Sequence, residues 1–267
     1  MSVITLLTDF GTDDEYVGLM KGVILSINPR ATIVDLTHQI SPQDIVQAAF
    51  TIDAGYHYFP EGTVHLIVVD PGVGTQRSLL ALKLENHVFI APDNGVLTLL
   101  LAEKKASSLN RITNPDYFRH PISQTFHGRD IIAPVGAHIT NGLEVNALGP
   151  EIDLQNVICL DGLGARLTEK GEIAGEVVVI DHFGNMITNI KSTQLTECSA
   201  GGSRQKIRIK IGSDVIHGLS DSYAGGPPDS PLALIGSRGY LEIAFNKGNA
   251  AQRLNAQKGD SVRVASY

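Results

Sequence analysis

Cysteine is scarce in this sequence: Cys159 and Cys198 are the only two, far apart and in no CxxC or Cys/His spacing. Neither a disulfide framework nor a zinc site is indicated. Basic clusters are missing as well. The net charge of −7 is spread along the chain, with no run of lysine and arginine interleaved with aromatics. That excludes the usual groove tracking nucleic-acid phosphates. No apolar run approaches the roughly 20 residues needed to cross a bilayer. Met1 leads straight into Val3-Ile4-Thr5-Leu6-Leu7 without the basic, apolar and small-residue regions of a leader peptide. The expectation is a soluble protein of a reducing cytoplasm, with no membrane or nucleic-acid partner. GxGxxG, GxxxxGK[ST], GxSxG and HExxH are all absent, and the nine histidines stand in no metal-ligand spacing, so no metal and no cofactor are expected. Asp9-Phe10-Gly11 spells the kinase metal motif, but at the wrong end of the chain and without a catalytic loop.

What is present describes an ordinary globular protein, with 43% hydrophobic and 18% charged residues. Its 267 residues suffice for two modest domains. Val3 to Leu7 reads as a strand, and Tyr16 to Ile27 as a helix with Val17, Met20, Ile24 and Ile27 on one face, stopped by Asn28-Pro29. Thr32 to Leu36 is a second strand, Asp44 caps a helix from Ile45 to Tyr58, and Thr63 to Val69 is a third strand. This βαβαβ order predicts a mainly parallel, buried sheet. Strands at Leu79 to Leu84 and Val88 to Ile90 follow, then helices at Val96 to Glu103 and from Asp130 to Asn141-Gly142. After Asp161-Gly162-Leu163-Gly164 the texture changes to short β-like runs at 177–180, 207–211, 232–235, 240–244 and 261–264. These predict a small antiparallel barrel or sandwich. The fold class is therefore α/β, with an N-terminal α/β domain over 1–160 and a smaller antiparallel β domain over 170–267.

Ligands of open α/β sheets bind beyond the carboxyl ends of the strands. Two places qualify: Thr8-Asp9-Phe10-Gly11-Thr12-Asp13-Asp14 and Asp70-Pro71-Gly72-Val73-Gly74. Asp13 and Asp14 read as helix caps. Asp9, at the strand end itself, suits two charge-assisted hydrogen bonds from a sugar diol, with a plain turn-forming role as the alternative. Asp70 is either a turn residue or one half of a pair with Arg77, and such a pair taken alone is more often a structural salt bridge than a catalytic one. Thr125-Phe126-His127-Gly128-Arg129-Asp130 precedes a helix. Asp130 reads as its N-cap, and His127 as a general base or a donor to bound water, or as a structural histidine.

In order along the chain stand TDFGTDDEYVG (8–18), IVDLTHQISPQDI (33–45), FPEGTVHLIVVDPGVGT (59–75), APDNGVLT (91–98), TFHGRD (125–130), IDHFGNMITNI (180–190) and SRGYLEIAFNKG (237–248). Together they resemble the S-adenosyl-L-methionine hydrolases, or hydroxide adenosyltransferases, relatives of the fluorinase and chlorinase. The resemblance implies an N-terminal α/β domain, a C-terminal β-barrel, and a homotrimer with active sites between the N-domain of one subunit and the C-domain of the next. It implies Asp9 as the ribose-diol ligand, with Asp14, Glu15 and Tyr16 near the methionine and ribose. Asp181, Phe183 and Asn185 fall at the amino-acid end, and Ser237 and Arg238 at the carboxylate. Phe245, Asn246 and Lys247 align with the backbone stretch that holds adenine. Asp70, Arg77 and His127 match the catalytic set of the hydrolase branch. In the halogenases Asp70 is replaced, the position of Gly128 is a serine that helps hold the halide, and the position of Gln43 is a tryptophan. Phe245 stands where fluorinase has an arginine, so adenine would be held there by backbone.

The implied reaction is attack of water at the ribose 5′-carbon of S-adenosyl-L-methionine, releasing adenosine and methionine. Attack on a carbon bearing a sulfonium neutralises charge, so a dry site favours it and no metal or acid is needed to expel a neutral thioether. Asp70 and His127 would orient and deprotonate the water, and Arg77 would hold Asp70 ionised. Two other readings are a non-catalytic sensor of the same ligand, against which the intact Asp70, Arg77 and His127 argue, and a metal-dependent hydrolase using Asp9, Asp13, Asp14, Asp70 and His127.

Overall fold

In the computed structural model, residues 2–102, 106–198, 204–226 and 229–266 are described. The chain divides into two units, Met1–Asp161 and Gly162–Tyr267. The first contains β1 (Val3–Thr8), α1 (Tyr16–Ile27), β2 (Thr32–Thr37), α2 (Ile45–Gly55), β3 (Val64–Val68), β4 (Leu79–Leu84), β5 (His87–Pro92), α3 (Thr98–Ala102), β6 (Ala106–Arg111) and α4 (Ala133–Thr140). Its sheet runs β2-β1-β3-β5-β4-β6. The β1/β2, β1/β3 and β3/β5 pairs are parallel, whereas β4 runs antiparallel to both β5 and β6.

The central strands β1 and β3 are buried throughout, and mostly apolar, because both faces are covered. Ile4, Leu6, Val64, Leu66 and Val68 pack under α1 and α4 with Val17, Met20, Ile24, Ala133 and Val135. Leu7, Ile67 and Val69 point the other way, onto Ala48 and Ile52 of α2 and Leu100 of α3. Each fully buried leucine or isoleucine contributes about 1.5–3 kcal/mol, so the two faces together anchor the strand ends that carry the site. Asp44 caps α2 by accepting the Gln47 N–H at 2.9 Å. The helix stops at Gly55, with Tyr56–Tyr58 continuing as a 3-10 turn. The expected helix end at Glu103 lies outside the described residues.

Two capping expectations are corrected. The residue preceding α1 is Glu15, already helical (φ −73°, ψ −11°) and making no side-chain cap bond, so Asp14 does not cap the helix. Asp130 lies within a π turn, Gly128–Ile132, that leads into α4. Its buried carboxylate accepts from Ser123 N–H at 2.9 Å, from Arg129 Nε and Nη2 at 2.8 Å each, and from Arg119 Nη1 at 3.2 Å. It clamps the loop before α4, and these donors outweigh burial to hold its pKa below the ordinary carboxylate value.

The second unit contains β7 (Arg166–Leu167), β8 (Ile173–Ile180), β9 (Met186–Lys191), α5 (Ser192–Cys198), β10 (Ile207–Ile211), β11 (Asp214–His217), β12 (Pro231–Ile235), β13 (Tyr240–Phe245), α6 (Ala250–Arg253) and β14 (Ser261–Ser266). The strands run β11-β10-β14-β8-β9-β13-β12, with β7 on β8, and every pairing is antiparallel. β10 alternates buried and exposed residues, sending Ile207, Ile209 and Ile211 into a core shared with Val177, Ile190, Leu241, Ile243, Val262 and Val264. Just beyond β11, Ser220 N–H donates to the Ala233 carbonyl of β12 at 2.7 Å, nearly closing the sheet into a barrel.

Candidate active site

Asp70 follows β3 and opens a tight turn. Val73 N–H reaches the Asp70 carbonyl at 3.2 Å, and Thr75 returns both its N–H (3.1 Å) and its hydroxyl (2.6 Å) to the Gly72 carbonyl. Gly74 is required here, for its φ is +77° and a Cβ would lie 2.3 Å from the Gln124 carbonyl oxygen. The turn swings Arg77 back onto Asp70. Arg77 Nε donates to both carboxylate oxygens, at 3.0 and 2.9 Å, and Nη2 donates to Oδ2. The two side chains are only 5% and 10% exposed, so this is a desolvated pair.

The same Nη2 lies 2.8 Å from His127 Nδ1. A guanidinium can only donate, so Nδ1 must carry its lone pair there, which leaves the hydrogen of the neutral ring on Nε2. Burial, and then the charge of Arg77, hold the pKa of His127 below its usual 6.5, against the opposing pull of Asp70 and Asp130. His127 is thus a neutral N–H donor. Asp70, His127 and Gly128 line a cavity of about 410 Å³ together with Asp9, Phe10, Tyr16, Gln43, Val68 and Phe126. Phe10, Tyr16 and Phe126 form its apolar wall, with ring centroids 5.3 to 5.7 Å apart.

Asp9 Oδ2 accepts the Gln43 N–H at 2.8 Å, which leaves Oδ1 for a ligand. Its loop is held from below. His38, buried, places Nδ1 2.9 Å from Thr8 Oγ1, and that oxygen accepts the Phe10 N–H at 3.3 Å. The His38 carbonyl accepts the Gly11 N–H at 2.8 Å. On its far side Nε2 comes within 3.1 Å of Asp35 Oδ1, an ion-pair approach outside hydrogen-bond geometry. Asp13, Asp14 and Glu15 are exposed, and neither Asp14 nor Glu15 lines the cavity. Among the described residues, no three or more His, Cys, Asp or Glu side chains converge as a metal set, so Asp9, Asp13, Asp14, Asp70 and His127 do not form one.

In the second unit Asp181, Phe183, Asn185, Phe245 and Lys247 line a cavity of about 600 Å³ with Tyr223, Gly248 and Asn249. Asp181 Oδ1 accepts from the Phe183 and Asn185 N–H groups and Oδ2 from Asn185 Nδ2, each at 2.9 Å. Phe183 is 73% exposed, and the Phe245 ring is in the core under the Arg253 guanidinium at 4.9 Å. Ser237, Arg238 and Asn246 stand outside the lining, the first two exposed in the β12–β13 turn. Sequence reasoning missed His38 and Tyr223. The only sequence signal for the first is its spacing of three from Asp35.

Residues 4–149 match the SAM hydroxide adenosyltransferase N-terminal domain and residues 175–263 the C-terminal domain of the same family. The chain belongs to this family. Among its relatives, the (R)-S-adenosyl-L-methionine hydrolase of Thermus thermophilus is 37% identical, covering 99% of this chain and 100% of its own length. That of Methanocaldococcus jannaschii is 36% identical over 99% and 96% of the two chains, and the fluorinase of Actinopolyspora mzabensis is 28% identical over 98% and 96%. The crystal structure of an uncharacterized conserved protein from Thermotoga maritima superposes with a TM-score of 0.91 at 34% identity, covering 98% of this chain and 99% of that one. The two-unit architecture is thus that of hydroxide adenosyltransferases.

Proposed function

We propose that this hydroxide adenosyltransferase is an S-adenosyl-L-methionine hydrolase, acting on the (R)-sulfonium form named for its relatives and releasing adenosine and L-methionine. The observation that carries the reading is the polarity of the Asp70–Arg77–His127 group: one carboxylate acceptor and one neutral N–H donor, bridged by a single guanidinium, beside an aromatic wall. A water molecule needs both, since it gives its proton in one direction and accepts a hydrogen bond from the other. Because His127 Nδ1 is occupied by Arg77 and Nε2 bears the hydrogen, Asp70 receives the proton and His127 orients the water. The C5′–O bond forms as the C5′–S bond breaks, and the sulfonium leaves as neutral thioether. Phe10, Tyr16 and Phe126 keep water from solvating that cation, which favours the charge-neutralising transition state. Asp9 holds the ribose diol, and the second unit takes the amino-acid and adenine groups through Asp181, Asn185 and the Phe245 and Lys247 backbone of its cavity, joined by Ser237, Arg238 and Asn246 from outside that lining.

The working form in this reading is a homotrimer, each site joining the first unit of one subunit to the second unit of the next. Its support is that each half-site is an open cavity within one unit, and that a head-to-tail contact closes into a ring. Incubation with each sulfonium epimer, followed by chromatography, tests the reaction. Adenosine and methionine are expected, and methylthioadenosine or adenine as main product would refute it. Mixing Asp70→Ala with Arg238→Ala chains tests the shared site, because exchanged rings should regain activity that neither has alone.

A further inference from the structure

Glu242 is an expensive residue in its position. It lies on β13, hydrogen-bonded on both sides by β9 and β12, on the face opposite the core residues Leu241 and Ile243, and is 6% exposed. No lysine, arginine or histidine forms an ion pair with it among the described residues. An unpaired buried carboxylate normally costs several kcal/mol, and such groups concentrate at functional sites. Space for it has been made: a Cβ on Gly236 would lie 2.3 Å from Glu242 Oε2. Its hydrogen-bond partner is Tyr223, whose hydroxyl donates to Oε1. Burial pushes the pKa of Glu242 up, with the nearby negative Asp181 adding to it and the Tyr223 hydrogen bond and the charge of Arg238 opposing it, and that of Tyr223 rises from burial and the Glu242 contact. Tyr223 therefore keeps its proton and commits it to Glu242.

The phenolic oxygen then has only lone pairs left for the second unit's cavity, which Tyr223 lines beside Asp181 and Asn185. An acceptor oxygen backed by a buried carboxylate is the complement of a cation that carries N–H donors. We infer that Tyr223 is a further substrate-binding residue that accepts a hydrogen bond from the α-ammonium of the methionine portion, with Glu242 as the positioning residue that fixes its hydroxyl. This rests on the proposed substrate and adds a residue to the set that recognises it.

The test uses the full chain and two stable ligands, S-adenosyl-L-homocysteine and its deaminated counterpart, in calorimetric titrations of wild type, Tyr223→Phe and Glu242→Gln, alongside S-adenosylmethionine turnover. A hydrogen bond to a charged group predicts that Tyr223→Phe weakens the amino-bearing thioether roughly tenfold and the deaminated one less than about twofold. The KM for S-adenosylmethionine should rise by the same factor at unchanged kcat. Glu242→Gln should also lose affinity selectively for the amino-bearing ligand. Tyr223 is 44% exposed, so its variant decides the matter even where Glu242→Gln fails to fold. Equal losses on both ligands, no loss on either, or no binding of either ligand by wild type would overturn the inference. Ligand binding without adenosine release would instead overturn the proposed reaction while the ratio still reads the ammonium contact.

Discussion

Removing Arg77 should damage stability and turnover through one event, and a second substitution should separate the two. In Arg77→Ala the Asp70 carboxylate, 5% exposed, loses its bidentate partner and His127 loses the donor to Nδ1. Stranding a buried charge in this way costs about 3–5 kcal/mol. At about 2–4 °C per kcal/mol for a unit of this size, the melting temperature should fall by roughly 6–20 °C. Turnover should fall by about 10²-fold or more, because the proton acceptor and the orienting ring both lose their fixed direction. Adding Asp70→Asn to Arg77→Ala removes the stranded charge, so at least about half of the lost stability should return while activity stays lost. Urea unfolding and S-adenosylmethionine turnover on the single and double variants measure both quantities. If Asp70→Asn restores no stability, or Arg77→Ala leaves turnover near wild type, the pair is not the desolvated, reaction-facing unit described above.

Three further outcomes follow from other contacts. His38→Ala frees Thr8 Oγ1 and loosens the Asp9 loop, so KM should rise about threefold to tenfold with a smaller change in kcat; an unchanged KM would deny His38 its positioning role. Burial, and then the neighbouring charge of His87, push the pKa of His65 down to about 3. Since the unfolded value is about 6.5, the unfolded chain binds a proton that the folded chain refuses. Stability should therefore hold above pH 6.5 and fall toward pH 3 by up to about 1.4 kcal/mol per pH unit. Denaturation of His65→Phe across that range should show a flatter slope, and an identical slope would place the acid lability elsewhere. Gly74→Ala drives a Cβ into the Gln124 carbonyl at a left-handed φ and should cost about 2 kcal/mol or more and most of the activity; wild-type behaviour would show that the turn can relax.

The parallel core was legible because β1 and β3 are buried on both faces and so read as predominantly apolar runs. β6 escaped notice because Ala-Ser-Ser-Leu-Asn-Arg is an edge strand, polar where it faces outward. β9 escaped because it carries Thr188 and Asn189 in the interior, where Thr188 donates to the Leu241 carbonyl at 2.8 Å and Asn189 Oδ1 accepts the Glu176 N–H at 2.9 Å. A residue pattern cannot distinguish a satisfied buried amide from a loop. The Asp130 cap was misread for a related reason, since a carboxylate beside a helix start has the same local signature whether it meets amides or arginines. Arg77 sits seven residues from Asp70, close enough to suggest a pair. Tyr223 and Glu242 stand 19 residues apart, and only the fold brings them together.

The order in which Arg77 and Asp70 stand has a consequence for which nucleophiles the cavity admits. Asp70 lines the cavity and Arg77 does not, so the face presented is negative although the pair as a whole is neutral. Chloride or fluoride has no proton to give and would meet an oxygen that offers no hydrogen. At about 4 Å the repulsion between two such charges is on the order of 4 kcal/mol at an effective dielectric constant of about 20, a discrimination near a thousandfold before the guanidinium behind is counted. In the proposed reading, salt in the surrounding solution would be turned away by charge rather than by size, and a neutral side chain in place of Asp70 would leave the His127 N–H as an anion donor in an otherwise unaltered pocket.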